Sequence, residues 1–362
     1  MAQVLLSPLS WGLGHAMRDI PIIKTLLAHG HDVTIAACGN ALTALKHEFP
    51  QCRFIEFEDY PSPYSSGSLF LPKFFLYLPI LLKAVSNERQ QLAKILAKDH
   101  YDLIISDNRL GAYSSEVPSI FITHQLHYHM PFALWPVELS ALHFNTYLHR
   151  KYDRIIVPDN PPGAQSLAGK LARPGSADTR SRAFFSGILT SIQKRDLAED
   201  LDYLILISGP EPQRTKLEEL LLPSIHELDG KSMVLLGSPM RKTEITGTDT
   251  CTVKGYVSNE EKVQLMNRAK FVICRSGYTT MMELSELQKK KALFIPTPGQ
   301  TEQEYLSWYY QKQGWFHSQS QYRLNLAVDI PAAQGYSGFP DMPSTEENVS
   351  RLYNELLADY LK

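Results

Sequence analysis

The sequence alternates between short apolar runs and segments with helical periodicity, and this alternation constrains the fold more than any other feature. In the first half, the apolar runs include QVLLSPL, HDVTIAAC, YDLIISD and PSIFITH. Because these runs are almost continuously apolar, they indicate parallel strands that are covered on both faces by helices. The sequence therefore predicts a doubly wound α/β domain over residues 1–160.

The same alternation restarts in the second half. Residues 161–185 are rich in Pro, Gly, Ser and Ala, and they are predicted to link two domains. The runs DYLILISG, SMVLLGS, KFVICRS and KALFIPTP then predict a second α/β domain over residues 186–340. Residues 341–362 predict a final helix, capped by Ser344 or Thr345, that packs across the junction between the domains. The ligand-binding edges of the two sheets are expected to face a common cleft.

The composition is that of an ordinary globular protein and excludes several classes of function. A chain of 362 residues suits two domains, and its net charge of −2 lacks the basic surplus of nucleic-acid-binding proteins. Four cysteines are scattered without CxxC spacing, so we expect no zinc site, no disulfide framework and a reducing cytoplasm. No signal peptide is expected, because the sequence begins directly with a strand pattern.

The apolar segment LFLPKFFLYLPILLKAV, residues 69–85, has two interpretations. A bilayer-spanning helix needs about 20 uninterrupted apolar residues, but Pro72, Lys73, Pro79 and Lys83 interrupt this segment. It is predicted to be either a buried helix of the first domain or an apolar lip whose lysines touch a membrane or a lipid-linked substrate. In the second case the protein would contact the inner face of the membrane peripherally.

The turn WGLGH, residues 11–15, joins the first strand to the first helix. A dinucleotide-binding fingerprint needs a third glycine and an acidic residue after the next strand. Met17 occupies the glycine position, and the next strand ends in AACGN. A nicotinamide or flavin role is therefore not expected. Gly14 lets the backbone approach a ligand closely. His15, at the ligand-facing edge of the sheet, is predicted to be a base, with simple helix capping as the alternative.

A stretch in the second half, FVICRSGYTT, carries the strongest chemical signal. A strand there runs into a glycine turn and a helix, whose first N–H groups and positive dipole end suit a diphosphate. A carboxylate one turn into this helix can accept hydrogen bonds from both ribose hydroxyls, and an amide and a carboxylate after the next strand suit a sugar. These candidates are Arg275, Ser276 and Gly277 for the diphosphate, Glu283 for the ribose, and Gln303 and Glu304 for the sugar.

These motifs resemble those of MurG-like glycosyltransferases, the family 28 group with the GT-B fold. The stretch CRSGYTTMMEL…ALFIPTPGQTEQEY is similar to the family's C-terminal signature, and WGLGH is similar to its N-terminal glycine loop. The likeness spans both domains and is strongest from Val253 to Gly314. It implies two Rossmann-like domains facing a cleft. It also implies an inverting transfer of a hexosyl group, GlcNAc or a similar sugar, from a UDP-sugar to a hydroxyl of a glycan, lipid-linked or small acceptor.

The resemblance also implies roles for single residues. His15 would lie near the reacting centre and take the acceptor proton, and His124 with its neighbour Gln125 would contact the acceptor. Backbone dipoles would meet the charge that develops on UDP, so neither a metal ion nor a separate cofactor is expected. The full set of donor-binding candidates is Gly14, Ser208, Gly209, Val257, Arg275, Ser276, Gly277, Thr279, Thr280, Glu283, Gln303 and Glu304.

The sequence departs from the family pattern at three places. The loop SGILTS, residues 186–191, lacks the arginine that the family often directs at the phosphates. Gln125 replaces an acidic residue, and Gly299 stands where the family often has a histidine. These differences argue against a peptidoglycan-precursor acceptor. Two alternatives stay open, namely a UDP-sugar epimerase on the same fold and a non-catalytic sugar-nucleotide-binding subunit.

Two further groups of polar residues have mainly structural interpretations. The histidines of HQLHYH, which are His124, His127 and His129, match no metal-ligand spacing, so acceptor contact or a structural role is expected. Arg18 could reach a phosphate, but Arg18 and Asp19 are predicted to lie on the solvated face of the first helix.

Overall fold

The structure, a computed structural model, describes residues 1–11, 13–60, 70–129, 135–225, 228–238, 244–247 and 250–362, with the backbone alone at residues 70–78 and 244–247. The chain forms two compact units. The described residues from Met1 to Ser191 and the segment Pro343–Lys362 form the first unit. The described residues of Ile192–Met342 form the second unit.

The first unit is built on a seven-stranded, wholly parallel sheet with the order β3-β2-β1-β4-β5-β6-β7. Adjacent residues of the central strands, such as Ile104 and Ile105, are both completely buried. Both faces of the sheet are therefore covered, as the continuous apolar runs predict. The strands are β1 (Gln3–Pro8), β2 (Asp32–Ala37), β3 (Arg53–Glu56), β4 (Leu103–Asp107), β5 (Ser119–Ile122), β6 (Arg154–Val157) and β7 (Ala183–Phe185).

Helices from both ends of the chain cover this sheet. One face packs against the first two helices and the C-terminal helix, where Val349 and Leu352 join the core around Ile23. The other face packs against the third helix through Leu92. The helices of the first unit are α1 (Leu13–Ala28), α2 (Gly39–Glu48), α3 (Phe70–Leu96), α4 (Trp135–His149), α5 (Ala177–Arg182), α11 (Thr345–Leu352) and α12 (Ala358–Tyr360).

The ends of the first unit differ from the domain boundaries expected from the sequence. Residues 161–185 are not a free linker, because α5 and β7 lie within them and β7 pairs with β6 as the seventh strand. The C-terminal helix begins with a capping box between Ser344 and Glu347 and packs on α1 of the same unit. Its apolar stripe is thus buried in the first core, to which residues 343–362 belong.

The second unit repeats the architecture with the strand order β10-β11-β9-β8-β12-β13-β14. All pairs are parallel except β10–β11, which is an antiparallel hairpin at one edge. The strands are β8 (Leu201–Leu206), β9 (Ser232–Leu235), β10 (Glu244–Gly247), β11 (Cys251–Lys254), β12 (Ala269–Cys274), β13 (Ala292–Phe294) and β14 (His317–Ser318). The helices are α6 (Gln213–Ile225), α7 (Asn259–Arg268), α8 (Tyr278–Glu286), α9 (Thr301–Lys312) and α10 (Leu326–Ala333).

Each sheet has a topological switch point, where consecutive strands continue to opposite sides of the first strand. In the first unit β1 lies between β2 and β4, and in the second unit β8 lies between β9 and β12. Open α/β sheets bind ligands at the carboxyl ends of the strands beside such a point. The two candidate regions are therefore the ends of β1 and β4 and the ends of β8 and β12.

Candidate functional sites

The switch point of the first unit brings His15 to Asp107. Pro8 and Asp107 are paired at the carboxyl ends of β1 and β4, and the Leu9 N–H donates to the Asp107 carbonyl over 3.0 Å. His15 follows two residues into α1, and its Nδ1 lies 2.9 Å from Asp107 Oδ1. The Asp107 side chain is completely buried, whereas that of His15 is 20% exposed. The imidazole thus lies between a buried carboxylate and solvent.

Arg18 makes a second contact with the same carboxylate. Its Nε donates to Asp107 Oδ2 over 2.7 Å, and its Nη2 donates to Oδ1. Burial acts to raise the pKa of Asp107, but the charges of Arg18 and His15 and their hydrogen bonds outweigh it and hold this pKa below its usual value. The ionised Asp107 carboxylate can accept from the His15 Nδ1–H, and this tautomer carries its lone pair on Nε2. Arg18 Nη2 lies 3.0 Å from the same Nδ1, because both nitrogens approach Asp107 Oδ1. A histidine oriented in this way can accept a proton from a hydroxyl group.

Arg18 also connects this cluster to the predicted acceptor histidine. Arg18 Nη1 lies 3.3 Å from Nδ1 of His124, which follows β5 and is only 8% exposed. Gln125 lies beside it and is partly buried, and its carbonyl accepts from Asn145 Nδ2 over 3.3 Å. The structure thus brings His15 and His124 together through Arg18. The acceptor contact of Gln125 stays a prediction.

The expectation that Arg18 and Asp19 lie on a solvated face is wrong. Arg18 is 2% exposed and Asp19 is completely buried. Helical periodicity could not reveal this burial, because the partner carboxylate of Arg18 comes from β4, 89 residues further along the chain.

The switch point of the second unit gathers three predicted donor loops. Ser208 and Gly209 follow β8 and are both exposed. Gly209 has a φ of +117°, which favours glycine, and a Cβ at this position would lie 3.6 Å from Thr297 Oγ1. The loop after β8 therefore lies against the loop after β13. Arg275 joins both loops to the end of β12.

Arg275 is a buried guanidinium held by neutral acceptors. It is 1% exposed, and its Nη1 donates to the carbonyls of Ile295 and Pro296 over 3.0 and 3.1 Å. Its Nη2 donates to the Gln213 carbonyl over 3.0 Å and to Gln321 Oε1 over 2.9 Å. Burial lowers the pKa of Arg275 to about 10. The structure thus gives Arg275 a role in holding the loops of the site, and its contact with the diphosphate stays a prediction.

Helix α8 begins at the glycine turn as expected. Gly277 is its N-cap, and no side chain caps the helix there. Thr279 and Thr280 in the first turn are partly exposed. By contrast, the buried Ser276 hydroxyl donates to the Gln303 carbonyl and accepts from Ser307 Oγ, both over 2.9 Å, so it fastens the turn to α9. The positive end of the α8 dipole is open to an anion, whereas the Ser276 hydroxyl is already engaged.

Glu283 projects from α8 into an ion pair. Lys262 Nζ of α7 lies 2.6 and 2.8 Å from its two carboxylate oxygens. The Glu283 side chain is 1% exposed, and that of Lys262 is 28% exposed. The carboxylate predicted to bind the ribose therefore lies on the expected helix, and it already forms an ion pair with Lys262.

The four remaining donor candidates occupy different surroundings. The Gln303 amide accepts from the Thr297 N–H over 2.9 Å and lies beside Gly277. Glu304 instead accepts from the Gly299 N–H over 2.9 Å. Its pocket of about 310 Å³ is also lined by the exposed rings of two aromatic residues, Trp308 and Tyr322. Val257 follows β11 and is partly exposed, and Gly14 lies in the first unit beside His15.

Two site residues escaped the sequence analysis, namely Asp107 and Lys262. Asp107 ends a predicted strand, YDLIISD, so its place at a sheet edge was visible in the sequence. Its pairing with His15 depends on β4 lying next to β1, which only the strand order shows. Lys262 lies in a predicted helix, and no local pattern distinguishes it from other solvated lysines.

Three predictions concern metals and membranes. Among the described residues, no group of three or more His, Cys, Asp and Glu side chains could hold a metal ion. None of the described helices combines the length and apolarity needed to cross a bilayer. Of the apolar segment 69–85, residue 69 and the side chains of residues 70–78 lie outside the description, while Ile80 and Leu82 are 51% and 48% exposed.

Comparison with known proteins places these sites in a wider context. Residues 241–320 match the sequence profile of the glycosyltransferase family 28 C-terminal domain. This region includes the α8 turn, Glu283 and Gln303. A search among curated proteins gives no significant match.

Solved structures with the same fold are glycosyltransferases. CalG4, the calicheamicin glycosyltransferase, has a TM-score of 0.62 and 13% identity over 99% of this chain and 95% of that one. The spinosyn rhamnosyltransferase SpnG has a TM-score of 0.61 and 15% identity over 98% and 96%. MurG of Acinetobacter baumannii has a TM-score of 0.55 and 13% identity over 98% and 100%. The chain therefore has the two-domain GT-B fold of these structures, and its residues 241–320 match the C-terminal domain of glycosyltransferase family 28.

Proposed function

We propose that this protein is an inverting glycosyltransferase that moves a hexosyl group, GlcNAc or a similar sugar, from a UDP-sugar to an acceptor hydroxyl. The observation that carries the proposal is the uncapped start of α8 at Gly277, beside the switch point of the second sheet and within the region that matches family 28. Uncapped N–H groups and a positive dipole end suit the diphosphate of a nucleotide sugar. SpnG has been solved with thymidine diphosphate, which supports a nucleoside diphosphate as the ligand class.

In the proposed complex, each part of the UDP-sugar contacts a different loop of the second unit. The diphosphate contacts the first turn of α8 and the Ser208–Gly209 loop, and Glu283 accepts from the ribose hydroxyls. The backbone around Val257 contacts the edge of the uracil base, and the side chains of Gln303 and Glu304 bind the sugar. Arg275 supports this set by holding the loops after β8, β12 and β13 together.

The proposed chemistry uses the His15–Asp107 pair. Nε2 of His15 takes the proton of the acceptor hydroxyl while the hydroxyl oxygen bonds to the anomeric carbon. The bond from that carbon to the diphosphate oxygen breaks, and its electron pair leaves with UDP, so the configuration inverts. Asp107 stabilises the imidazolium that forms, and the α8 dipole stabilises the charge on the leaving group.

The proposed acceptor group is a hydroxyl of a glycan, a lipid-linked sugar or a small molecule. His124 is proposed to contact it, because Arg18 places this histidine in the same cluster as His15. The exposed Ile80 and Leu82 support a peripheral contact of residues 69–85 with a membrane or a lipid-linked acceptor.

Titration calorimetry with UDP and TDP, followed by UDP release from a panel of UDP-sugars, tests the proposal. We expect UDP to bind and the matching donor to be hydrolysed slowly without an acceptor. Formation of an epimeric UDP-sugar would favour an epimerase instead. Binding without any release of UDP would indicate a sugar-nucleotide-binding subunit, and the absence of nucleotide binding would overturn the assignment altogether.

A further inference from the structure

Asp19 is a buried acid that the proposed reaction does not yet use. It lies on α1, one residue after Arg18, and is completely buried. Within the described part of the chain, neither of its carboxyl oxygens accepts a hydrogen bond from a donor group. An ionised carboxylate in this position would lack both water and hydrogen bonds, which is strongly unfavourable.

One polar neighbour of Asp19 is itself a carboxylate. Asp19 lies within hydrogen-bonding reach of the Asp107 side chain, and the charged groups that act on it are Asp107 and Arg18. Arg18 bonds to Asp107, since its Nε and Nη2 both donate to that carboxylate. One guanidinium thus faces two buried carboxyl groups. Two such groups in contact do not both ionise, and a shared proton relieves their repulsion.

The electrostatic surroundings decide which of the two acids keeps the proton. Burial, and then the neighbouring Asp107 carboxylate, raise the pKa of Asp19 well above its usual value. Arg18 and His15, together with their hydrogen bonds, hold the pKa of Asp107 low against the opposing effect of burial. Asp19 is therefore the protonated partner, and its O–H can donate to Asp107.

We propose that Asp19 is a positioning residue, a neutral carboxylic acid that donates a hydrogen bond to Asp107 and thereby fixes the carboxylate that orients His15. This inference rests on the proposed function, because the oriented imidazole is the proposed base. It extends that function to a residue that touches neither donor nor acceptor. With Asp19 in place, Asp107 is held from α1 by Arg18, His15 and Asp19 together, and the His15 Nδ1–H tautomer is the one favoured.

Two substitutions of similar size separate this role from simple packing. Asp19→Asn keeps a donor for Asp107, whereas Asp19→Leu removes it. The difference infrared spectrum of wild type minus D19N at neutral pH should contain the carbonyl band of a protonated carboxylic acid. Nitrogen NMR of labelled histidine, with His15 assigned from H15Q, should show one Nδ1–H tautomer in wild type and D19N and a mixture in D19L.

Turnover supplies the third measurement. UDP release should be at least tenfold faster in D19N than in D19L, while the UDP affinity of D19L should equal that of wild type, because the proposed UDP site lies in the second unit. The proposal is overturned if the infrared difference lacks the acid band, or if D19N and D19L have the same tautomer distribution. The infrared comparison does not require D19L to fold. If no UDP-sugar is turned over although both spectroscopic results hold, the proposed function fails while the Asp19–Asp107 hydrogen bond stands.

Discussion

Lys262 Nζ bonds both carboxylate oxygens of Glu283, over 2.6 and 2.8 Å, and so neutralises the acid on which the proposed ribose contact depends. Each oxygen of the Glu283 carboxylate has a second lone pair. The carboxylate can therefore accept hydrogen bonds from the ribose hydroxyls while it stays bonded to Lys262. The ion pair and the ribose contact should therefore respond differently to substitution. The two sides of the pair can be tested separately.

Glu283→Ala should weaken UDP binding at least tenfold, about 1.4 kcal/mol, because the ribose loses its acceptor. Lys262→Met should retain UDP binding within a few-fold but lower the free energy of unfolding by about 1–3 kcal/mol, since it leaves a buried carboxylate without its cation. Calorimetry with UDP and urea unfolding measure the two effects.

A matched control comes from the same helix. Arg268 of α7 pairs with Asp200 at the surface, where the side chains are 41% and 48% exposed. Arg268→Met should therefore change the free energy of unfolding by less than about 1 kcal/mol. Unchanged UDP affinity in folded E283A would remove Glu283 from the proposed site.

Gly277→Ala should reduce UDP affinity at least tenfold while the unit stays folded. A Cβ at Gly277 meets no atom closer than Gln303 Nε2 at 3.9 Å, and its backbone φ of −72° suits alanine. The cost in stability should therefore stay under about 1 kcal/mol. The added methyl group would stand where a diphosphate approaches the first N–H groups of α8. Gly335→Ala, at a site whose nearest atom is 3.6 Å away, is the control for stability. Full UDP affinity in G277A would place the diphosphate elsewhere.

His15→Ala should lower turnover about a hundredfold or more and leave UDP binding intact, because it removes the proposed base. Asp107→Asn should have a similar effect, since it no longer holds the Nδ1–H tautomer. The control is His100→Ala, which removes another histidine–aspartate contact of the first unit, 3.0 Å between His100 Nε2 and Asp102 Oδ1, at an exposed place. Initial rates of UDP release compare the three variants. Near-normal turnover in H15A would exclude His15 from the chemistry.

The sequence predicted those parts of the site that are local in the chain. The turn from β12 into α8 could be recognised because a strand, a glycine and a helix follow one another within a few residues. The same holds for β1, Gly14 and His15. These local predictions required only the period of the apolar residues and the conformational freedom of glycine.

The contacts that complete each site join distant parts of the chain, and the sequence did not predict them. His15 meets Asp107 across 92 residues, and Lys262 meets Glu283 across 21. Such pairs depend on strand order and on the direction in which a side chain leaves its helix. The burial of Asp19 was missed for the same reason, since a charged residue on a helix is ordinarily solvated. The place of residues 161–185 was also mispredicted, because a short edge strand such as β7 carries too little apolar periodicity to be recognised.

The free energy of unfolding of the first unit should fall on mild acidification because His149 is buried. His149→Phe should remove the part of this pH dependence that His149 causes. His149 of α4 is 2% exposed and packs against Phe121, with ring centroids 5.3 Å apart. Burial lowers its pKa from 6.5 to about 4. Between these values the unfolded chain binds the proton and the folded chain does not, so acid favours unfolding. The stabilisation is complete above pH 6.5 and declines by about 3 kcal/mol as the pH falls to 4.

Urea unfolding from pH 7 to pH 4 should show a shallower loss of stability in H149F than in wild type. His143, an exposed residue of the same helix, provides the control H143F, which should keep the wild-type dependence. Equal pH dependence in H149F and wild type would mean that the pKa of His149 is the same in the folded and the unfolded chain.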